Sequence, residues 1–307
     1  MKYYDVYKTI NCNSHSEAFK YLIENFKDSN TYWDYFVNWT KVYKNIKESE
    51  VNLNILNYLI GKDNFEEEFK FLVKKYPSTQ CVIPVLLAYR ENNFKILTQY
   101  TGDGLKYDEF DFSNQNKCDD SHIEKLLLFV KETGLSKLFI EKKIKNLVDY
   151  VTGVEVGLDS NGRKNRGGTT MEDIVEIFIK KICLDNGYQY IKQATSKEIK
   201  SKFGADVPVD KTSRRYDFAV NNGKKVYLIE TNFYGGGGSK LKSTAGEYKS
   251  LYNMLNEKGF PLIWITDGAG WKSTLKALEE TFTHIDYLLN LAMLEQGILR
   301  NIIEKNL

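Results

Sequence analysis

The chain has 307 residues, 42% of them hydrophobic, and a formal net charge of +2, long enough for one large or two modest domains with a real core. No uncharged apolar run approaches the roughly 20 residues that span a bilayer, and the opening MKYYDVYKT lacks a signal peptide's apolar stretch; a reduced, cytoplasmic protein with no membrane partner is expected. Four scattered cysteines without a CxxC pair (Cys12, Cys81, Cys118, Cys183) exclude a zinc cluster, and the three isolated histidines (His15, His122, His284) offer no flanking motif for Ser/His/Asp or Cys/His nucleophilic chemistry.

Residues 1 to about 150 read as mainly helical. SEAFKYLIENF, NLNILNYLIG, FEEEFKFLVKKY and HIEKLLLFVKETG all carry apolar residues at helical spacing. The dense aromatics Tyr32, Trp33, Tyr35, Phe36, Trp39 and Tyr43 are expected in the core, and His122, at a helix start, is read as structural. TQYTGDGLKYDEFDFSN is turn-rich and acidic, a strand pair or an extended loop.

The character changes after Gly153. NGRKNRGG reads as a basic, glycine-bearing loop, and TMEDIVEIFIKKICLDNG as a helix with the apolar stripe Met171, Ile174, Val175, Phe178 and Ile182. Thr169 and Glu172 fit a capping box, so Glu172 has two readings: a cap partner, or a carboxylate aimed at the sheet from the first helical turn. YQYIKQA is a predicted strand and SKEIKSKFG a short basic helix or loop. A helix follows within TAGEYKSLYNMLNEKG, FPLIWIT reads as a buried, parallel-type strand, and IDYLLNLAMLEQGILRNIIEK as the last helix. The order helix, strand, strand, strand, helix, strand defines an α/β class with an αβββαβ core and a mixed central sheet. The expected division is a helical region at 1–150 and a core at 151–307.

The stretch RRYDFAVNNGKKVYLIETNFYGGGGSK carries the chemistry. Asn222-Gly223 signals a two-residue hairpin turn, which would set Asp217 opposite Leu228 and diagonal to Glu230, roughly 7–8 Å apart along one face. Two carboxylates at that separation can converge on a divalent ion. GGGGSK departs from a phosphate-binding P-loop, because Ser239 precedes Lys240 and Leu241 follows it. It is either a flexible connector or a place where bare backbone approaches a ligand with Lys240 beside it. Four of the six arginines (Arg163, Arg166, Arg214, Arg215) fall between positions 163 and 215. Their planar forks suit phosphate or guanine, although a solvated basic surface explains them equally well.

Asp217, Glu230 and Asn232 form a D…ExN pattern akin to the PD-(D/E)XK nucleases, with asparagine where lysine is usual. NGRKNRGGTTMED and YDFAV…LIETNFYGGGGSKL, with the later ITDGAGW, together resemble the DpnII/MboI family of type II restriction endonucleases over residues 150–285. The resemblance implies Mg²⁺-dependent hydrolysis of double-stranded DNA at GATC, blocked by adenine methylation, in a host with a cognate adenine methyltransferase. It implies that Asp217 and Glu230 hold the metal, and that Glu172 adds a carboxylate through water or orients a ligand. Asn232 becomes a neutral positioning group, and Lys240 (or Lys225 or Lys242) replaces the missing charge. Arg163, Lys164, Arg166, Arg214 and Arg215, with Gly236, Gly237 and Ser239, are the expected DNA contacts. A two-fold site is most simply read by a homodimer, with the helical region as its interface or as a DNA clamp. An inactive DNA-binding module and a less specific repair nuclease of the same fold are the rival readings.

Overall fold

The computed structural model describes residues 4–101, 104–113, 119–211 and 213–306, apart from the side chains of Lys164 and Ser239; Cys118 and the expected contacts from those two side chains lie outside the described part. Two compact units form, one from Met1–Trp33 with Lys164–Leu307 and one from Asp34–Arg163. The chain opens with helix α1 (His15–Glu24), capped by Ser14, whose side chain accepts from the Glu17 N–H. This helix belongs to the same unit as the C-terminal half: Phe19 and Leu22 join its core, and Asn290 donates to the Leu22 carbonyl at 2.9 Å.

The Asp34–Arg163 unit contains α2 (Trp39–Leu56), α3 (Phe65–Lys75), the antiparallel hairpin β1 (Asn93–Thr101) and β2 (Gly104–Asp111), α4 (Asp120–Glu132), α5 (Leu135–Ile140) and α6 (Leu147–Ser160). Helix α3 shows why such segments are helical. Glu66, Glu67 and Glu68 sit in its first turn and Lys74 and Lys75 in its last, matching the helix dipole, while Phe65, Phe69, Leu72 and Val73 face the core. His122 is structural, buried with its Nε2 2.8 Å from Gln80 Oε1. The aromatic expectation needs correction. Tyr32, Trp33, Phe36, Trp39 and Tyr43 are exposed; for the two on α2 the reason is that the helix buries Val42, Ile46, Leu53 and Leu56 and stacks Trp39 on Tyr43 along another side.

The other unit continues with α7 (Arg163–Asn186), β3 (Gln189–Thr195), α8 (Ser196–Phe203), β4 (Arg215–Asn221), β5 (Val226–Phe233), α9 (Ser239–Glu257), β6 (Leu262–Asp267), α10 (Leu275–His284), β7 (Tyr287–Leu289), α11 (Leu291–Glu295) and α12 (Ile298–Glu304). The sheet order is β3-β4-β5-β6-β7, antiparallel from β3 to β5 and parallel from β5 to β7. This is the expected αβββαβ core and mixed sheet, with α8 inserted between its first two strands. Strand β6 is buried at every position, as its unbroken apolar run requires.

Two local expectations fail for identifiable reasons. The last predicted helix is instead a strand and two short helices. Tyr287–Leu289 pair with β6, Asn290 caps α11 through the Met293 N–H, and Gly297, with φ +80°, separates α11 from α12. The basic loop 161–168 is replaced by the first turns of α7, so Thr169 lies inside a helix and donates to the Asn165 carbonyl. No capping box forms there, and Glu172 is released from that role.

Candidate active site

The hairpin of β4 and β5 builds the site, with a register two residues from the expected one. Ala219, not Asp217, pairs with Leu228, and Asn221 pairs with Val226, so the turn comprises Asn222 to Lys225. Asn222 organises it, accepting from the Lys224 and Lys225 N–H groups through its side chain. Continuing the register by one pair beyond Phe218–Ile229 sets Asp217 across from Glu230 rather than diagonal to it.

Glu230 is 5% exposed. Its Oε1 faces Arg214 Nη1 at 3.4 Å, and its Oε2 lies 3.4 Å from the Tyr248 hydroxyl on α9. Asp217 Oδ2 accepts from the Thr231 N–H at 2.7 Å and from its hydroxyl at 2.9 Å, and Oδ1 lies 3.4 Å from Gln193 Nε2. The same Gln193 amide donates to Glu172 Oε2 at 2.8 Å, which links the α7 carboxylate to the hairpin pair. Burial, reinforced by the neighbouring Asp217 charge, pushes Glu230 up to about 8. Burial likewise pushes Asp217 and Glu172 above the usual carboxylate range.

Arg214, half-buried on the approach to β4, divides its guanidinium between Glu230 and Asp210, donating from Nε to Asp210 Oδ1 at 2.7 Å. One shared cation faces a carboxylate pair that repels itself, and both donors are hard oxygens. That set suits a divalent ion of the Mg²⁺ type, which binds through one or two carboxylates and completes its shell with water and substrate phosphate. Among the described residues no group of three or more His, Cys, Asp and Glu side chains is arranged to hold a metal by itself.

Asn232 is held away from any charge-supplying role. Trp271 Nε1 donates to Thr266 Oγ1 at 2.7 Å, Thr266 donates to Asn232 Oδ1 at 2.5 Å, and Asn232 Nδ2 donates to the Tyr248 hydroxyl at 3.3 Å. Tyr248 itself stacks on Trp264 with ring centroids 4.4 Å apart and donates onward to Glu230. The series starts at an obligatory donor and ends at a carboxylate, so each member has one sensible orientation.

The glycine-rich loop is a built feature rather than a slack connector. The Tyr234 N–H donates to the Asp267 carbonyl and the Gly270 N–H to the Tyr234 carbonyl, binding the loop to the segment after β6. A Cβ at Gly268 would lie 2.3 Å from the Tyr234 carbonyl oxygen, and one at Gly270 2.4 Å from that of Gly236. Gly236 itself has open space where its side chain would be, and Gly237 meets only Ser273 closely. The loop leads into α9, whose N-cap Gly238 has no capping side chain and whose first turn carries Lys240 and Lys242 with no acidic residue. Lys225, the alternative cation, is used elsewhere, donating to the Asn306 carbonyl at 2.7 Å.

Asp217, Glu230, Asn232 and Glu172 thus form one connected cluster with Arg214. Arg215, Gly236, Gly237 and Lys240 are exposed. Arg163 and Arg166 open α7, and Arg163 Nε donates to the Phe36 carbonyl at 3.3 Å. Sequence reasoning missed Gln193, Tyr248, Thr231 and Asp210. Only the last left a trace, as an acid four residues before Arg214.

An αβββαβ core with one buried and one half-buried carboxylate on its central hairpin defines a class of phosphodiester-cleaving enzymes, and comparison with known proteins narrows it. The DpnII restriction endonuclease family profile matches residues 18–301. The chain is 47% identical to the type II restriction enzyme MjaIII of Methanocaldococcus jannaschii, covering 93% of this chain and 99% of that one. It is 40% identical to DpnII of Streptococcus pneumoniae (88% and 93% covered) and 36% identical to MboI of Moraxella bovis (89% and 92% covered). The chain belongs to the DpnII restriction endonuclease family and is a type II site-specific deoxyribonuclease. No solved structure is a significant match to it, and no helix among the described residues is long and apolar enough to cross a membrane.

Proposed function

We propose that this restriction enzyme cuts double-stranded DNA at GATC with Mg²⁺, as a homodimer whose subunits each cut one strand, in a cell protected by a cognate adenine methyltransferase. The observation that carries the chemistry is the pairing of half-buried Asp217 with buried Glu230, two hard oxygen donors with too little positive charge around them. These two residues would hold the metal. When bound, the ion supplies Lewis-acid polarisation of the phosphodiester and lowers the pKa of an attacking water. Asp217 is oriented by Thr231, and Glu230 by Tyr248 and Arg214. Glu172 orients a ligand or water from the α7 side, and Asn232 is a neutral positioning group. Lys240, on the first turn of α9, provides the charge that asparagine lacks, beside backbone amides that favour a phosphate.

Arg163, Lys164, Arg166, Arg215 and the glycine loop with Ser239 contact DNA in this reading, and the Asp34–Arg163 unit serves as clamp or dimer interface. The site specificity rests on relatedness to DpnII and MboI. A second assignment of the missing charge rests on one contact: Arg214, rather than Lys240, already touches Glu230. Lys240→Ala and Arg214→Ala separate the two, since only the true partner should lose cleavage while keeping specific binding in Ca²⁺. The enzyme reading is tested by digesting unmethylated and adenine-methylated plasmid with Mg²⁺ or with chelator. Discrete fragments ending at GATC, only with metal and only from unmethylated DNA, are expected. Binding without cutting would favour an inactive module, and cutting of DNA that lacks GATC would favour a repair-type nuclease.

A further inference from the structure

Gln193 is one of the site residues with no counterpart among the expected ones, and three observations single it out. Its backbone is left-handed, with φ +51°, in the middle of strand β3. Such a conformation is unusual for a non-glycine residue and carries strain that the surroundings must hold. The ladder between β3 and β4 pairs Lys192 with Phe218 and Ala194 with Tyr216, but skips the intervening pair, Gln193 and Asp217.

The alternation of side chains breaks at the same place. Tyr190 and Lys192 reach α7 through Glu176 and Ile191 enters a different cluster, as period-two alternation requires, but Ala194, which should share the Lys192 side, joins the Ile191 cluster instead. Gln193 should share the Ile191 side, yet it reaches α7 as well, at Glu172. The left-handed turn therefore delivers the Gln193 amide to the α7 side. One Nε2 there serves Glu172 at 2.8 Å and Asp217 at 3.4 Å. A neutral donor is the only kind of group that can bridge two carboxylates without consuming the charge a divalent ion would use.

Resting on the metal-binding role given above to Asp217, we propose that Gln193 is a positioning residue: it spans Glu172 and Asp217 and orients Asp217 Oδ1 for the divalent ion. Glutamine serves because its amide supplies two donors and its length covers the gap. A carboxylate would add repulsion, and lysine would neutralise the pair. Groups that orient metal ligands typically cost about 10–100-fold in metal affinity or activity when removed.

The test uses the full-length protein and two variants. Gln193→Gly keeps the left-handed backbone without strain and deletes the amide; Gln193→Glu keeps the shape and adds a charge. Binding of Mn²⁺ or Ca²⁺ is measured by calorimetry on the protein bound to GATC duplex, and single-turnover cleavage is measured as a function of enzyme concentration. For Gln193→Gly we expect metal affinity and the cleavage rate constant each to fall about 10–100-fold. Half-saturation for DNA should change little, and the melting temperature in chelator should not fall. Gln193→Glu should melt lower in chelator and recover when divalent ion is added, because three carboxylates then depend on it.

Wild-type metal affinity and cleavage in Gln193→Gly would overturn the proposal while leaving the Asp217–Glu230 site intact. Loss of activity with unchanged metal affinity would also overturn it, pointing to a DNA contact instead. If Glu230→Ala binds the ion as the wild type does, the underlying metal site falls, and Gln193's part in it falls too.

Discussion

Ionising Glu230 is opposed by its burial and by Asp217 next to it, which raises it from 4.5 to about 8. Between those values the folded, metal-free protein keeps a proton that the unfolded chain has already released. Its contribution to stability is therefore full below pH 4.5 and is lost progressively as pH rises to about 8. Melting temperature in chelator should show this decline, and Glu230→Gln should remove it; parallel curves for the two proteins would refute the assignment. A divalent ion must displace the same proton, so affinity for it should strengthen with pH over that window. Gln193 belongs to this scale too. Its meaning lies in a backbone angle and two contacts, neither of which a glutamine in an alternating strand announces.

At the scale of elements, the glycine-rich loop divides into positions needed for packing and positions left open. Gly268 has φ +106° and would drive a Cβ into backbone atoms of Tyr234. Gly268→Ala should therefore cost at least about 2 kcal/mol, read by denaturant titration. Gly236 has no such neighbour and no left-handed backbone. Gly236→Ala should keep its stability and yet weaken binding to a GATC duplex if DNA approaches the bare loop there. Equal stability losses in both would mean the loop is purely structural. The hairpin teaches a related lesson. Asn222 and Gly223 do mark the turn, but the Asn222 side chain satisfies two further N–H groups and lengthens it to four residues. That shift is what brings Asp217 level with Glu230.

Within the unit formed by Met1–Trp33 and Lys164–Leu307, distant parts of the chain are tied together by one buried carboxylate. Asp267, fully buried at the end of β6, accepts from the backbone N–H of Lys27 at 2.7 Å, of Gly268 at 2.7 Å and of Leu291 at 2.8 Å. It joins the segment after α1, the loop that supports the glycines, and the start of α11. Asp267→Ala would leave three donors without their acceptor, a loss of about 3 kcal/mol or more. The loss should appear as a lower denaturation midpoint, with faster proteolysis near residue 27; an unchanged midpoint would show that water replaces the carboxylate. Tyr7 adds a second tie of the same kind, donating to the Leu288 carbonyl at 3.0 Å.

Local patterns in the chain were sufficient for the αβββαβ order, for a mixed sheet with β6 as a fully buried strand, and for the two carboxylates on the hairpin. Helical spacing, strand alternation and an Asn-Gly turn are short-range signals, and they survive folding wherever nothing distant competes with them. Family membership was legible for the same reason, since its motifs are contiguous. Tertiary structure alone decided the rest. Pairing with β6 turned Tyr287–Leu289 from an expected helix into a strand. Continuation of α7 through Thr169 freed Glu172 from a cap and let it meet Gln193. Three residues from separate elements, Thr266, Trp271 and Tyr248, fixed Asn232 as a neutral member of a hydrogen-bonded series. Each of these depends on groups far apart in sequence, whose meeting costs chain entropy and is rewarded only when the whole core closes around them.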